Sequence, residues 1–414
     1  MKLLVIAPHF EPDVAPTGIV ITRVVEELAA RGHDIEVVTA FPWYREHKVE
    51  PGYGGRLVRY EDTPWGRITR INPFAPSDKR NITRRAAAFA AFSSVSAFIG
   101  GRGDQIDGVL AVSPPLTLGV SGRLAARLRH APLVFNVQDV FPDIAIELGI
   151  LTDRRLIAVA RGLERYCYKH ADVVTVLSQD LADNVRSKMN EPNKIRVIPN
   201  FVDTDVIKPQ SRTNSYRKQY GLRNKTVVMY AGNVGLSQSL ETVLDAATAL
   251  AYEDDLVFVI NGQGASREHL EAKAQGMPNV VFVDMQPHER LPEVLAAADI
   301  HLVTLRKGLG RHSVPSKTYS ILAAGRPLIA AVDADSEIAR IAEGSGAGVT
   351  VPPDDGEALT KTIRKLLDSP DRLAEMGTAG RTFVEGAASP QAVAIAYEDL
   401  FEELARNRPS RPHR

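Results

Sequence analysis

Met1-Lys2-Leu3-Leu4-Val5-Ile6-Ala7 opens on a run of apolar residues with no polar alternation. A strand that is half solvated alternates, and a strand covered on both faces does not. Residues 3–7 are therefore expected to lie inside a parallel sheet. Val20, Ile21, Val24, Val25 and Leu28 follow at helical spacing, and Gly32 after Arg31 suits the end of that helix. A second apolar strand is predicted at 35–39, with others at 108–112, 133–137 and 173–177. Helical segments fill the gaps. This rhythm is that of a doubly wound α/β unit.

A polar stretch, Lys208-Pro209-Gln210-Ser211-Arg212-Thr213-Asn214-Ser215, interrupts the pattern, which then restarts. Strands are predicted at 227–230, 256–261, 280–283, 300–305, 328–331 and 348–351. Two similar units are expected, 1–205 and 206–385. A helix at about 390–405 follows, then a basic tail, 406–414, with nothing to bury. The length of 414 residues agrees with two cores. In doubly wound sheets ligands bind beyond the strand C-termini, so two such units are expected to face a central cleft.

The net charge is zero, which excludes a global field that would steer the chain to nucleic acid. The charge is uneven, however. Between residues 41 and 130 there are fourteen Lys/Arg and seven Asp/Glu. The densest part is Lys79-Arg80-Asn81-Ile82-Thr83-Arg84-Arg85, followed by an Ala/Phe/Ser/Val run. Such a basic, partly apolar helix can lie on an anionic membrane, so peripheral association is expected. The apolar opening run is too short for a signal segment, no stretch is long enough to span a bilayer, and a cytoplasmic location is expected. One cysteine, Cys167, excludes an internal disulfide.

Several familiar chemistries are missing. Pro8-His9-Phe10-Glu11-Pro12-Asp13 follows the first strand where a dinucleotide site would need G-x-G-x-x-G. A phosphate loop ending in Gly-Lys-Ser/Thr is also absent. Asp203-Thr204-Asp205 and Asp333-Ala334-Asp335 are two isolated acidic pairs and do not make an oxygen cage, so no metal is expected. Asn261-Gly262-Gln263-Gly264 reads as a tight turn that can line a nucleotide site. Pro16-Thr17-Gly18 is expected just before the first helix, where a glycine lets a phosphate approach backbone N–H groups.

Val314-Pro315-Ser316-Lys317-Thr318-Tyr319-Ser320 begins another helix. Ser316 can cap it, which puts Lys317 in the first turn. A cation is unfavourable at the positive end of a helix dipole. The placement makes sense if an anion is bound there by backbone N–H groups and the lysine.

Taken together, Gly18, Ile198-Pro199-Asn200-Phe201-Val202-Asp203, Tyr230-Ala231-Gly232-Asn233, Ala298-Asp299-Ile300 and Ala324-Gly325-Arg326-Pro327 resemble the family 4 glycosyltransferases, which have the GT-B architecture of two Rossmann-like domains. Gln138-Asp139-Val140-Phe141-Pro142-Asp143 and the Asn233–Thr242 stretch are similar to a branch of colanic-acid and O-antigen transferases, including N-acetylfucosaminyltransferases. The resemblance implies a retaining transfer from a nucleotide-diphospho-sugar, uridine-linked, to a lipid-linked or envelope glycan, without cofactor or metal. It implies a base near Asp284, Met285 and Gln286, and a diphosphate near Lys317. Asn233 and Gln238 fall where the family usually has Arg and Lys. His312 and Ser320 fall where it has two glutamates. Arg306, Arg311 and His312 are then the nearest replacement donors, with Glu337 near the sugar. Asp139 and His9 are the candidates for the acceptor proton, and Ser113, Pro114, Gln138 and Asp143 would line the acceptor channel. A nucleotide-sugar epimerase on the same fold, or a non-catalytic nucleotide-sugar-binding scaffold, are the alternatives.

Overall fold

The computed structural model describes residues 1–45, 48–73, 82–147, 151–309 and 316–407, the side chains of 82–86 and 147 excepted. The chain divides into two compact units, Met1–Asn200 with Val393–Arg414, and Phe201–Ala392.

The first unit holds β1 (Lys2–Ile6), β2 (Asp34–Ala40), β3 (Val58–Thr63), β4 (Gly66–Ile71), β5 (Gly108–Ser113), β6 (Leu133–Val137), β7 (Val173–Val176) and β8 (Ile195–Val197). Their order in the sheet is β3-β4-β2-β1-β5-β6-β7-β8. All pairs are parallel except β3 with β4. The opening run Leu3–Ile6 is buried throughout, as its lack of alternation predicts. The order reverses between β1 and β5, so a crevice opens beyond their C-terminal ends.

The hairpin β3–β4 and the three-residue β8 were not expected. The first strand of the hairpin, Val-Arg-Tyr-Glu-Asp-Thr, is half-buried at most. It forms the sheet edge, where charged side chains discourage further pairing.

The second unit holds β9 (Thr226–Ala231), β10 (Leu256–Asn261), β11 (Val280–Val283), β12 (Ile300–Thr304), β13 (Leu328–Ala331) and β14 (Gly348–Val351), in the order β11-β10-β9-β12-β13-β14. Every pair is parallel. The reversal lies between β9 and β12. These two pair only at Ile300 with Val228 and His301 with Met229, and separate beyond.

The last helix, Pro390–Arg406, returns to the first unit. Tyr397 Oη accepts from Asn136 Nδ2 at 2.9 Å. Phe401 fills the space over Gly108, where a side chain would collide with its ring. Glu398 accepts from His33 Nε2 at 2.9 Å and pairs with Arg31.

Candidate functional site

In the second unit the crevice beyond β9 and β12 is built around Lys317. Its Nζ lies 4.0 Å from the centre of the Tyr230 ring. Tyr230 is itself fixed, its hydroxyl donating to the Asn233 carbonyl at 2.6 Å. Gly232 has φ +141°, and a Cβ there would stand 2.7 Å from the ammonium. The lysine thus occupies the space that glycine leaves. Lys317 makes no ion pair or hydrogen bond among the described residues. Burial brings its ammonium down to about 8. His301 is close enough to feel that charge, and burial takes its imidazole down to about 4, so it stays neutral. Thr318, next in the helix, is fully buried with an unpartnered hydroxyl. A desolvated cation without an anion is costly unless a ligand completes it.

The helix is described over Ser316–Ala323, so its first described residue is Ser316. Its carbonyl accepts from Ser320 Oγ at 3.2 Å. Arg311 and His312 lie outside the described residues. Arg306 follows β12, its backbone N–H bonded to the Ser237 carbonyl at 2.8 Å. Its guanidinium is half exposed and 3.9 Å from Glu241.

The loops after β9 and β10 are stitched together. Val234 N donates to the Gln263 carbonyl at 2.8 Å and Ser266 N to that of Val234 at 3.0 Å. Any side chain at Gly262 would strike the Gly232 carbonyl, so that glycine serves the meeting of two backbones. Asn233 is exposed on this platform. Gln238 closes the turn, accepting from Gly235 N and donating to Ser237 Oγ, both at 2.9 Å. Beyond β11, Gln286 is held by Tyr220 at 3.1 Å and Arg290 at 2.8 Å. Asp284 stands 3.3 Å from Arg267. Met285 is left as exposed apolar surface. Glu337 opens the helix capped by Ser336 and pairs with Arg340 at 2.8 Å.

In the first unit His9 follows β1. Its Nδ1 is 2.7 Å from Asp13 Oδ2. Asp13 is buried, and its other oxygen accepts from Tyr44 N at 3.1 Å. A carboxylate only accepts, so Nδ1 carries the proton and Nε2 is the basic nitrogen. The ring stacks on Trp43 at 5.6 Å and meets the edge of Tyr44 at 5.5 Å. Glu11 N donates to Thr22 Oγ1 at 2.9 Å and Arg70 Nη2 to the Glu11 carbonyl at 2.6 Å, which pins the loop. Gly18 lies within the helix Pro16–Ala30, not before it. A Cβ at Gly18 would be 2.9 Å from His9 Cβ. The glycine makes room for the histidine, which corrects its assignment to a loop ahead of the helix.

Beyond β5 and β6, Ser113 is buried with an unpartnered hydroxyl, and Pro114 is exposed. Gln138 is locked between Asn136 at 2.6 Å and Asn200 at 3.0 Å. Asp139 is half-buried, and burial raises its carboxyl above the usual carboxylate range. Asp143 is engaged otherwise. Lys188 bridges it at 2.6 Å to the buried Glu164 at 2.7 Å. Burial pushes the Asp143 carboxyl up, but its bonds to Lys188 and Asn184 more than offset this and lower it. Asp13, Trp43, Tyr44 and Lys188 escaped the sequence reading. Only the His9-x-x-x-Asp13 spacing offered a signal.

Known proteins place this geometry. Residues 17–200 match a glycosyl transferase 4-like domain and residues 225–369 a glycosyl transferases group 1 domain. The putative colanic acid biosynthesis glycosyl transferase WcaI of Escherichia coli (strain K12) is 30% identical over 397 residues, 93% of this chain and 96% of that one. The chain belongs to the family 4 glycosyltransferases. This glycosyltransferase is also 28% identical over 335 residues to the probable glycosyltransferase WbjE of Pseudomonas aeruginosa, covering 78% of this chain and 83% of that one. Its fold is GT-B. Anabaena Alr3699/HepE, solved in complex with UDP, superposes with a TM-score of 0.65 at 14% identity, over 97% of this chain and 100% of that one.

Proposed function

We propose that this glycosyltransferase moves a sugar from a uridine-diphospho-sugar to a lipid-linked or other cell-envelope glycan, with retention at the anomeric carbon. The observation that carries the donor half is Lys317, a desolvated cation with no anionic partner among the described residues, at the start of a helix beyond β12. A diphosphate supplies the missing charge and takes the free N–H groups of the first turn. The base lies against Met285 beside Asp284 and Gln286, and Asn233, Ser320 and Glu337 reach the nucleotide and sugar. HepE, of the same fold, binds UDP in its solved complex, which supports uridine.

As the glycosidic bond breaks, charge collects on the departing diphosphate, and donors already in place there lower the barrier. Lys317 and Arg306 fill that role, with Arg311 and His312 assigned to the same task. The counter-charge comes from fixed side chains, so the reading requires no metal and no cofactor. The acceptor hydroxyl gives its proton to His9 Nε2, which Asp13 orients. Asp139, its carboxyl raised by burial, is the second acceptor of that proton. The name of WcaI, a colanic acid biosynthesis transferase, supports an envelope glycan as acceptor. Among the described residues no helix is long and apolar enough to cross a membrane. In this reading, with a lipid-linked acceptor, the protein works from the cytoplasmic side as a peripheral membrane protein. The basic stretch expected to make that contact, residues 79–85, lies outside the described side chains.

Thermal-shift measurement against a panel of nucleoside diphosphates and their sugars tests the donor assignment. A ligand that binds only the native state raises the melting temperature. UDP and one UDP-sugar are expected to do so. A folded protein that responds to no nucleotide refutes the assignment.

A further inference from the structure

The helix Arg154–His170 carries surface that the transfer reaction does not use. Its inner side buries Glu164, Cys167 and Tyr168. On its outer side Leu156, Val159 and Tyr166 stand at spacings of three and seven on one stripe, while Leu163 between them packs inward against the core. Leu156 is 50% exposed, Val159 69% and Tyr166 40%. Round the rest of the solvent-facing arc Arg154, Arg155, Arg161, Arg165 and Lys169 are all exposed. None of these five side chains makes an ion pair or hydrogen bond among the described residues. Arg161 acts on Asp143 only through space.

Nearby acids do not balance this charge. Glu164 is buried and paired with Lys188. Asp153 caps the helix, accepting from Arg155 N and Leu156 N, both at 2.9 Å. An ordinary solvated face mixes both signs. Here the exposed positions of the helix are Arg, Lys, Leu, Val, Ala, Gly and Tyr only. Carboxylates and side-chain amides are missing from it. Packed alongside, the helix Thr117–Leu128 adds Val120, Leu124 and Leu128 at four-residue spacing, with Arg127 exposed beside them.

We propose that the exposed face of Arg154–His170 is the docking surface for an anionic lipid bilayer. The helix lies in the headgroup plane, its apolar stripe enters the acyl boundary and its arginines meet lipid phosphates. The proposal rests on the membrane-associated reading above and moves the contact from residues 79–85 to a different helix.

Co-sedimentation of the full chain with vesicles of equal parts phosphatidylglycerol and phosphatidylcholine, against pure phosphatidylcholine, tests it. Wild type is expected to bind the anionic vesicles, less so as salt rises. Each basic residue at such a surface contributes about 1 kcal/mol, so losing three lowers partitioning roughly a hundredfold and the reversal R155E/R161E/R165E should lower it by more than that. The milder R155Q/R161Q/R165Q should give a smaller loss in the same direction. L156S/V159S should lower partitioning about tenfold on both lipid mixtures. Because these side chains are unpaired and exposed, melting temperature and UDP binding should stay at wild-type values. Wild-type binding that all three variants retain overturns this surface and leaves the membrane reading standing. A wild type that ignores anionic vesicles overturns both, whereas the donor assignment is judged by UDP alone.

Discussion

Replacing Lys317 by methionine should stabilise the free protein and weaken its complex with UDP. Burial takes the ammonium from its ordinary 10.5 to about 8, which corresponds to roughly 3 kcal/mol of unfavourable desolvation. Methionine removes that cost. It also loses the contact with the Tyr230 ring, worth about 1–2 kcal/mol when desolvated. The net gain in the free protein is therefore about 1–2 kcal/mol. In the complex, one charge-assisted contact of about 1.5–3 kcal/mol disappears, so Kd should rise roughly ten- to a hundredfold. A pH arm sharpens the test. Between pH 8 and 10.5 the unfolded chain binds more protons at this position than the folded one, so the lysine's destabilising effect fades as pH rises through that window. The charge that holds the diphosphate fades with it. UDP affinity of the wild type should fall above about pH 8, while that of Lys317→Met loses this dependence. Thermal melts and calorimetric titration with UDP on either side of pH 8 supply both quantities. A variant that is less stable when free, yet binds UDP as wild type does, would show the lysine to be structural and refute the reasoning.

Gly232→Ala drives a methyl group to 2.7 Å from the Lys317 ammonium at φ +141°. It should cost about 1–3 kcal/mol of stability and at least tenfold in UDP affinity, read by urea titration and calorimetry. His9→Ala should lower the transfer rate by about two to four orders of magnitude with UDP affinity unchanged. Asp13→Asn should give a smaller loss of the same kind, and steady-state kinetics beside nucleotide titration separates rate from binding. Lys188→Met leaves the buried Glu164 and Asp143 without their common cation. A loss of about 3–5 kcal/mol is expected in denaturant unfolding, and an unchanged midpoint would contradict the bridge.

Strands covered on both faces announce themselves. Residues 109–112 and 256–260 are buried at every position and stand out as unbroken apolar runs. The hairpin β3–β4 sends no such signal, because Arg59, Glu61 and Asp62 are edge residues, Asp62 pairing across the hairpin with Arg67 and Glu61 with Arg70. Within the site, Lys317 was legible because a cation at a helix start contradicts the dipole. Its seat on Tyr230 was not, since the two are far apart in sequence and meet only through the order of the sheet. Gly18 was recognised and misplaced. Its function is to make room for His9 through space, and chain spacing alone cannot distinguish that from a phosphate loop. The Lys188 bridge joins residues from three separate elements, and no periodicity connects them.

The return of Pro390–Arg406 to the first unit makes that unit a discontinuous assembly, with the whole of Phe201–Ala392 inserted into it. The chain is synthesised in one direction, so the inserted unit, continuous in sequence, can finish folding on the ribosome before the first unit has all its parts. Until Tyr397, Glu398 and Phe401 emerge, Asn136, His33 and the surface over Gly108 stay uncovered. A stop codon at or before Tyr397 would therefore damage the first unit, where Asn136 lies more than two hundred residues upstream, and spare its neighbour in sequence.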